Sequence, residues 1–211
     1  MNIQPIVEGH GEVAAVPVLL RRLRDLAQLF DWDVNAPIRR KRSELVQQAE
    51  LRRSIQLARI QPNCGAILVL FDSDKDCPRE LGPRLQQSAQ EEARGLPCRI
   101  ALAHKEYEAW FLAAIESLRG RRGIKDDAIS HLHPEEPRGA KGHLQERMRP
   151  GRSYGERADQ PALTAVFDMR SAYEKCRSFR HLAKVFGELA MGGGSAPPIA
   201  WPPAEWEASG P

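Results

Sequence analysis

Apolar and polar positions alternate along this chain in blocks that switch between strand and helix periods. NIQPIVE (2–8) reads as a strand that ends at Glu8. GHG (9–11) reads as a turn. EVAAVPVLLRRLRDLAQLF (12–30) repeats Leu19, Leu20, Leu23, Leu26 and Leu29–Phe30 at helical spacing, which predicts an amphipathic helix. Pro17 is a flaw in that helix, so it either starts near Ala15 or bends. WDVNAPI (32–38) is a weaker strand. In 42–60, Ser43 is a candidate N-cap, and Leu45, Ala49, Ile55 and Ile60 mark a buried stripe that ends at Pro62-Asn63.

GAILVLF (65–71) is a continuous apolar run, the pattern of a strand covered on both faces. A polar helix near 79–94, a strand CRIALA (98–103) and a helix KEYEAWFLAAIESL (105–118) follow. Trp110, Phe111 and Leu112 on that helix read as core. Strand–helix alternation predicts an α/β fold, an open sheet of about four mainly parallel strands flanked by helices. Gly-, Pro- and charge-rich sequence fills 119–160, with Asp159-Gln160-Pro161 as a helix start. Two closing helices are expected at 162–176 and 178–190, and a flexible Gly/Pro-rich tail after them. The expected organisation is a core at 1–118, basic loops and closing helices packed on it at 119–190, and the tail at 191–211.

Composition adds limits. Of 211 residues, 42% are hydrophobic and 28% charged, ordinary for a chain with one buried core. The N-terminus has no signal-peptide pattern, and no apolar run approaches the ~20 residues of a membrane helix. The expected location is cytoplasmic, with no membrane partner. Cys64, Cys77, Cys98 and Cys176 form no CxxC or zinc spacing and read as reduced thiols. His131 and His133 form an HxH that supplies too few ligands for zinc and reads as surface. Net charge is +3, but Arg119–Arg157 holds ten Lys or Arg against six Asp or Glu, a surface suited to a polyanion.

The chemistry centres on strand ends. Glu8 closes the first strand, and Asp72, Asp74 and Asp76 crowd the end of the third. Functional residues of an open parallel sheet gather at such ends. If the two strands are neighbours, Glu8, Asp72 and Asp74 meet. Hard oxygen ligands of this kind suit Mg²⁺ or Mn²⁺. Gly9 and Gly11 would let the backbone turn tightly, so that a substrate phosphate reaches the helix start near His10. His104 stands at the next strand end. Of Glu106 and Glu108, two apart on one helix, only one should join the site, and Glu106 is favoured for its place at the strand end. Lys141 is a candidate phosphate contact.

IVEGHGE (6–12) together with LVLFDSDKD (68–76) resembles the Toprim domain of topoisomerases, primases and overcoming-lysogenization-defect nucleases. HKEYEAWFLA (104–113), AKGHLQERM (140–148) and the stretch 159–182 narrow the resemblance to a short stand-alone Toprim-like family of unknown function. The resemblance implies that Glu8 is a metal ligand or general acid/base and that Asp72 and Asp74 hold Mg²⁺. It also implies that Glu106 or Glu108 assists a second ion. It further implies a Mg²⁺-dependent nuclease acting on DNA or RNA, an effector of anti-phage defence. An ABC-type ATPase subunit would be a partner, since the chain has no GxxxxGK[ST] loop. A homo-oligomer is compatible with it. Two alternatives remain. One is a non-catalytic interaction subunit of an ATPase complex. The other is a haloacid-dehalogenase-like phosphatase, which leaves Glu8 without a role and meets Asp76 where Thr or Val is expected.

Overall fold

A computed structural model describes residues 1–192 and 200–207. Its centre is an open parallel sheet of β1 (Asn2–Val7), β2 (Asp33–Val34), β3 (Ile38–Arg39), β4 (Cys64–Asp72) and β5 (Cys98–Ala103). The order is β2-β1-β4-β5, and β3 continues the edge that β2 begins beside β1. The predicted strand at 32–38 is thus one edge broken in two. The break falls at Asn35–Pro37, where Pro37 has no amide to offer and the Gln4 side chain donates to the Ala36 carbonyl (2.9 Å).

The pleat sorts the core. Ile3, Val7, Leu68 and Leu70 face α1 (His10–Leu26), while Ile6, Ile67, Val69 and Phe71 face α3 (Gln48–Arg59) and α4 (Pro78–Ala93). Both faces of β4 are therefore covered, as its unbroken apolar run requires. The first face also receives α5 (Ala109–Ala113), α7 (Glu156–Thr164), α8 (Met169–Lys175) and α9 (Arg177–Gly192). Trp110, Phe111 and Leu112 are fully buried there. Two short helices, α2 (Arg42–Leu45) and α6 (Ala140–Glu146), lie at the carboxyl edge of the sheet, and α10 (Ala204–Glu207) ends the description.

Several boundaries differ from expectation. α1 starts at His10 and runs through buried Pro17, giving up one main-chain hydrogen bond rather than breaking. The 42–60 helix is split at Val46–Gln47. The split changes the phase, so Leu51, Ile55 and Ala58 are buried while Ala49 and Ile60 are exposed. Ser43 is not the cap: the Glu44 carboxylate accepts from the Lys41 amide (2.8 Å). The closing stretch divides at Ala165–Asp168, where Asp168 caps α8 by accepting from the Arg170 and Ser171 amides. Pro161 lies inside α7, which begins at Glu156. Part of the expected flexible tail is docked. The Trp201 indole donates to the Ala183 carbonyl (2.7 Å), and Trp206 packs on Tyr173 and Phe179. The rest of the tail expectation, at 193–199 and 208–211, lies outside the described residues. Among the described residues, no helix is long and apolar enough to cross a membrane.

Candidate functional site

β1 and β4 are adjacent. The chain leaves β1 toward one side of the sheet and leaves β4 toward the other, and the covering helices change faces between them. A crevice at the carboxyl ends follows from that reversal. Glu8 and Asp72 stand at its two lips, directly after Val7 and at the last position of β4.

Asp72 lies on the α1 side of the sheet. Its Oδ1 accepts from the Tyr107 amide (2.9 Å). Burial first, then the charges of Glu12 and Glu108, hold its carboxyl well above the usual carboxylate range. Glu12, in the first turn of α1, is buried and folds back so that Oε2 accepts from the amides of Glu8 (2.9 Å) and Gly9 (2.6 Å). Burial pushes its pKa up to about 7 against those two bonds. Glu108 is fully buried, and its Oε1 accepts from the Tyr154 hydroxyl (2.8 Å) and the Gln160 amide (3.3 Å). Burial raises its pKa as well. Glu8 is half-buried, and its pKa is raised by burial and then by Asp74. Three buried oxygens here, Glu8 Oε2, Glu108 Oε2 and Gln160 Oε1, have no hydrogen-bond partner.

Two cations answer this charge. Lys141, on α6, pairs with Glu156 (2.7 Å). Burial opposes its ammonium, but Glu108, Glu156 and Asp72 outweigh it and raise its pKa. Arg42, at the start of α2, holds the loop after β4. Its Nε and Nη2 donate to the carbonyls of Asp72 (3.2 Å) and Ser73 (3.0 Å), and the guanidinium pairs with the carboxylates of Asp74 (3.2 Å) and Asp76. The crowding of aspartates is thus partly explained without a metal. Asp74 takes a left-handed conformation (φ 50°) and bonds to the Lys105 carbonyl, which turns its side chain toward Arg42.

The expected residues are placed as follows. Glu8, Asp72, Asp74 and Lys141 share one neighbourhood, each acting electrically on another member. The acid that joins them from the 105–118 segment is Glu108, not the favoured Glu106. Glu106 accepts from the Lys141 amide (2.9 Å) and so fastens the first turn of α6. The choice failed because the helix begins only at Ala109; a turn through Lys105, with φ 63°, swings Glu108 inward. Gly9 is not a tight-turn glycine, having φ −86°. Gly11 lies inside α1, and its value is closeness: a Cβ there would stand 2.3 Å from Gln160 Oε1 and 2.8 Å from the Glu156 carbonyl. The helix start expected to receive a phosphate is already partly filled, because Glu12 takes two of its amides. His10 is exposed at the first helical position. His104 lies at the β5 end, away from these acids, in a separate cleft.

Sequence reasoning missed Glu12, Tyr154 and Gln160. Glu12 had a readable signal, an acid in the first helical turn three residues after Gly9. The other two come from the irregular 119–160 region and had none.

The stretch 7–185 matches the family described as a domain of unknown function (DUF4276). The chain belongs to this family. The DUF4276 match takes in the whole acidic cluster, Lys141 and Arg42, and stops inside α9. Among curated proteins and among solved structures, none matches the chain.

Whether a hard dication fits this DUF4276 site is a matter of donors. Among the described residues, no group of three His, Cys, Asp or Glu side chains is arranged to hold one. Mg²⁺, however, uses one or two protein carboxylates and keeps several waters. Glu8, with its orphaned Oε2, and Asp72, with Oδ1 alone engaged, supply such a pair. Carboxyls whose pKa is raised by burial and by neighbouring carboxylates, as both are here, are also those that gain most from an added cation. The donor set fits.

Proposed function

We propose that this protein is a Mg²⁺- or Mn²⁺-dependent nuclease of the Toprim type, hydrolysing phosphodiester bonds of DNA or RNA. One observation carries the reading. Two carboxylates from adjacent parallel strands, one with a buried unpartnered oxygen, flank the crevice where the sheet reverses its winding, and the charge of Glu8 is felt at Asp72. Glu8 and Asp72 would hold the cation, which would polarise the phosphate and stabilise charge on the leaving oxygen. Asp74 stands next to them, held by Arg42. Glu12 keeps the Glu8 backbone in place through two amide bonds, so the carboxylate enters from a fixed point. Glu108, whose affinity for a proton burial raises, is suited to hold or pass a proton near the reacting phosphate. Lys141 supplies the positive charge that a phosphate entering an acidic crevice needs. The ATPase partner and the role in phage defence rest on the resemblance alone.

The test is cleavage of plasmid, single-stranded DNA and tRNA with Mg²⁺ or Mn²⁺. Glu8→Gln and Asp72→Asn should each lower cleavage by about a hundredfold or more. Mutants that cut as fast as the parent would end the catalytic reading.

Arg42 favours a second reading. It already neutralises Asp74 and Asp76, as an internal cation would in a non-catalytic interaction subunit. Unchanged thermal stability on adding Mg²⁺, with no cleavage of any nucleic acid, would select it.

A further inference from the structure

A cleft of about 790 Å³ runs along the free edge of β5, between α4 and α9. It is separate from the acidic crevice, although the loop after β4 leads from one to the other through Cys77. Its volume is that of a small-molecule site.

The chemistry changes along its length. At the carboxyl end stand Arg79, Arg177 and His104. Glu135 is also there, but both its oxygens are engaged by the amides of Arg177 (2.8 Å) and Ser178 (2.9 Å). Neither the Arg79 nor the Arg177 guanidinium has a hydrogen-bond or ion-pair partner among the described residues. The middle is apolar, lined by Pro83, Leu102 and Val185. At the far end Arg99 is paired with Glu188 (2.7 Å) beside Gln86. From Arg177 to Glu188 the wall of α9 is roughly 16 Å long at 1.5 Å per residue.

A peptide strand is a poor occupant. The outward groups of Cys98 and Ile100 on β5 that it would need are taken. Gln86 accepts from the Ile100 amide (2.8 Å) and donates to the Cys98 carbonyl (2.8 Å), and His181 sits on the Ile100 carbonyl. A hydrocarbon tail is disfavoured by the charged far end. A ligand with an anionic head, a flat body and hydrogen-bonding edges matches all three sections.

We propose that this cleft binds a nucleotide unit, with its phosphate against Arg79 and Arg177 and its base in the apolar middle reaching toward Arg99 and Glu188. The unit is either a free mononucleotide or one residue of a nucleic-acid strand. The site does not depend on the cation reading, and its test is run in EDTA.

Calorimetric titration of the full chain with AMP, ATP, pyrophosphate and a short single-stranded oligonucleotide decides it. AMP or ATP should bind, and Arg79→Ala and Arg177→Ala should each weaken binding about tenfold. Gly82→Trp should block it. Apart from its chain neighbours, a Cβ at Gly82 meets only Leu102, at 4.0 Å, so the indole has room to grow into the cleft. Glu8→Gln should bind as the parent does, which separates this site from the crevice. Binding of the oligonucleotide alone supports the proposal and assigns the unit to a strand. No binding of any nucleotide overturns it, as does unweakened binding by Gly82→Trp or by an Arg79→Ala/Arg177→Ala double variant. Pyrophosphate binding as tightly as ATP removes the base from the site and overturns it too.

Discussion

Glu12 shows what one buried acid does to the behaviour of the chain. Its pKa moves from 4.5 to about 7, chiefly through burial. The folded protein therefore keeps a proton that the unfolded chain has released, and stability falls as pH rises through that interval. The contribution is complete below about 4.5 and lost as pH passes about 7. Glu8, Asp72 and Glu108 shift in the same sense. In EDTA, urea unfolding should thus show declining stability between about pH 5 and 7.5, and Glu12→Gln should flatten the decline. A slope as steep in the mutant would show that Glu12 is not its source. Such acids are hard to read from sequence. Glu8 and Asp72 were legible because a strand end tells where the next side chain goes. Glu108 was not, because its direction depends on a left-handed residue at Lys105 that no pattern announces.

Elements were legible where periodicity was long, and blurred where helices were cut short. Leu19, Leu20 and Leu23 gave α1, and AILVLF gave β4. The breaks at Val46–Gln47 and Ala165–Asp168 carry no Gly or Pro, so the segments around them read as continuous. The packing of α7 on α1 turns on Gly11. Gly11→Ala would drive a methyl against the Glu156 carbonyl, main-chain that cannot swing aside, and should destabilise the protein by about 1–3 kcal/mol. Because α7 carries Gln160 and Glu156, the same change should disturb the crevice. Gly142→Ala is the contrasting case. Its Cβ would meet nothing within 4 Å, so removing this glycine from α6 should stabilise by about 0.5–1 kcal/mol. Chemical denaturation of both variants checks the pair.

For the molecule as a whole, alternation of strands and helices was enough to predict a parallel sheet, and neighbouring β1 and β4 followed as the condition for the acids to meet. The position of the 119–160 region was not predictable, since little of it has a regular period. A cation held between Glu8 and Asp72 ties separate parts of the chain together and should raise the melting temperature. At a hundred times its dissociation constant the gain is about 2.7 kcal/mol. Because binding displaces protons from raised carboxyls, the gain should grow as pH rises above the usual carboxylate range. An Asp72→Asn/Asp74→Asn variant with the parent's full response would count against the site.

Much of both margins of the sheet is sealed by side chains. On β5 the seal is Gln86, Gln90 and His181; beside β1, Arg24 and Arg21 cover the carbonyls of Trp32 and Val34. Exposed strand margins are where folded chains zip together into aggregates. This fold offers little purchase for that. Association of copies is thereby steered toward surface side chains and away from extending the sheet, which leaves the cleft along β5 free for something small.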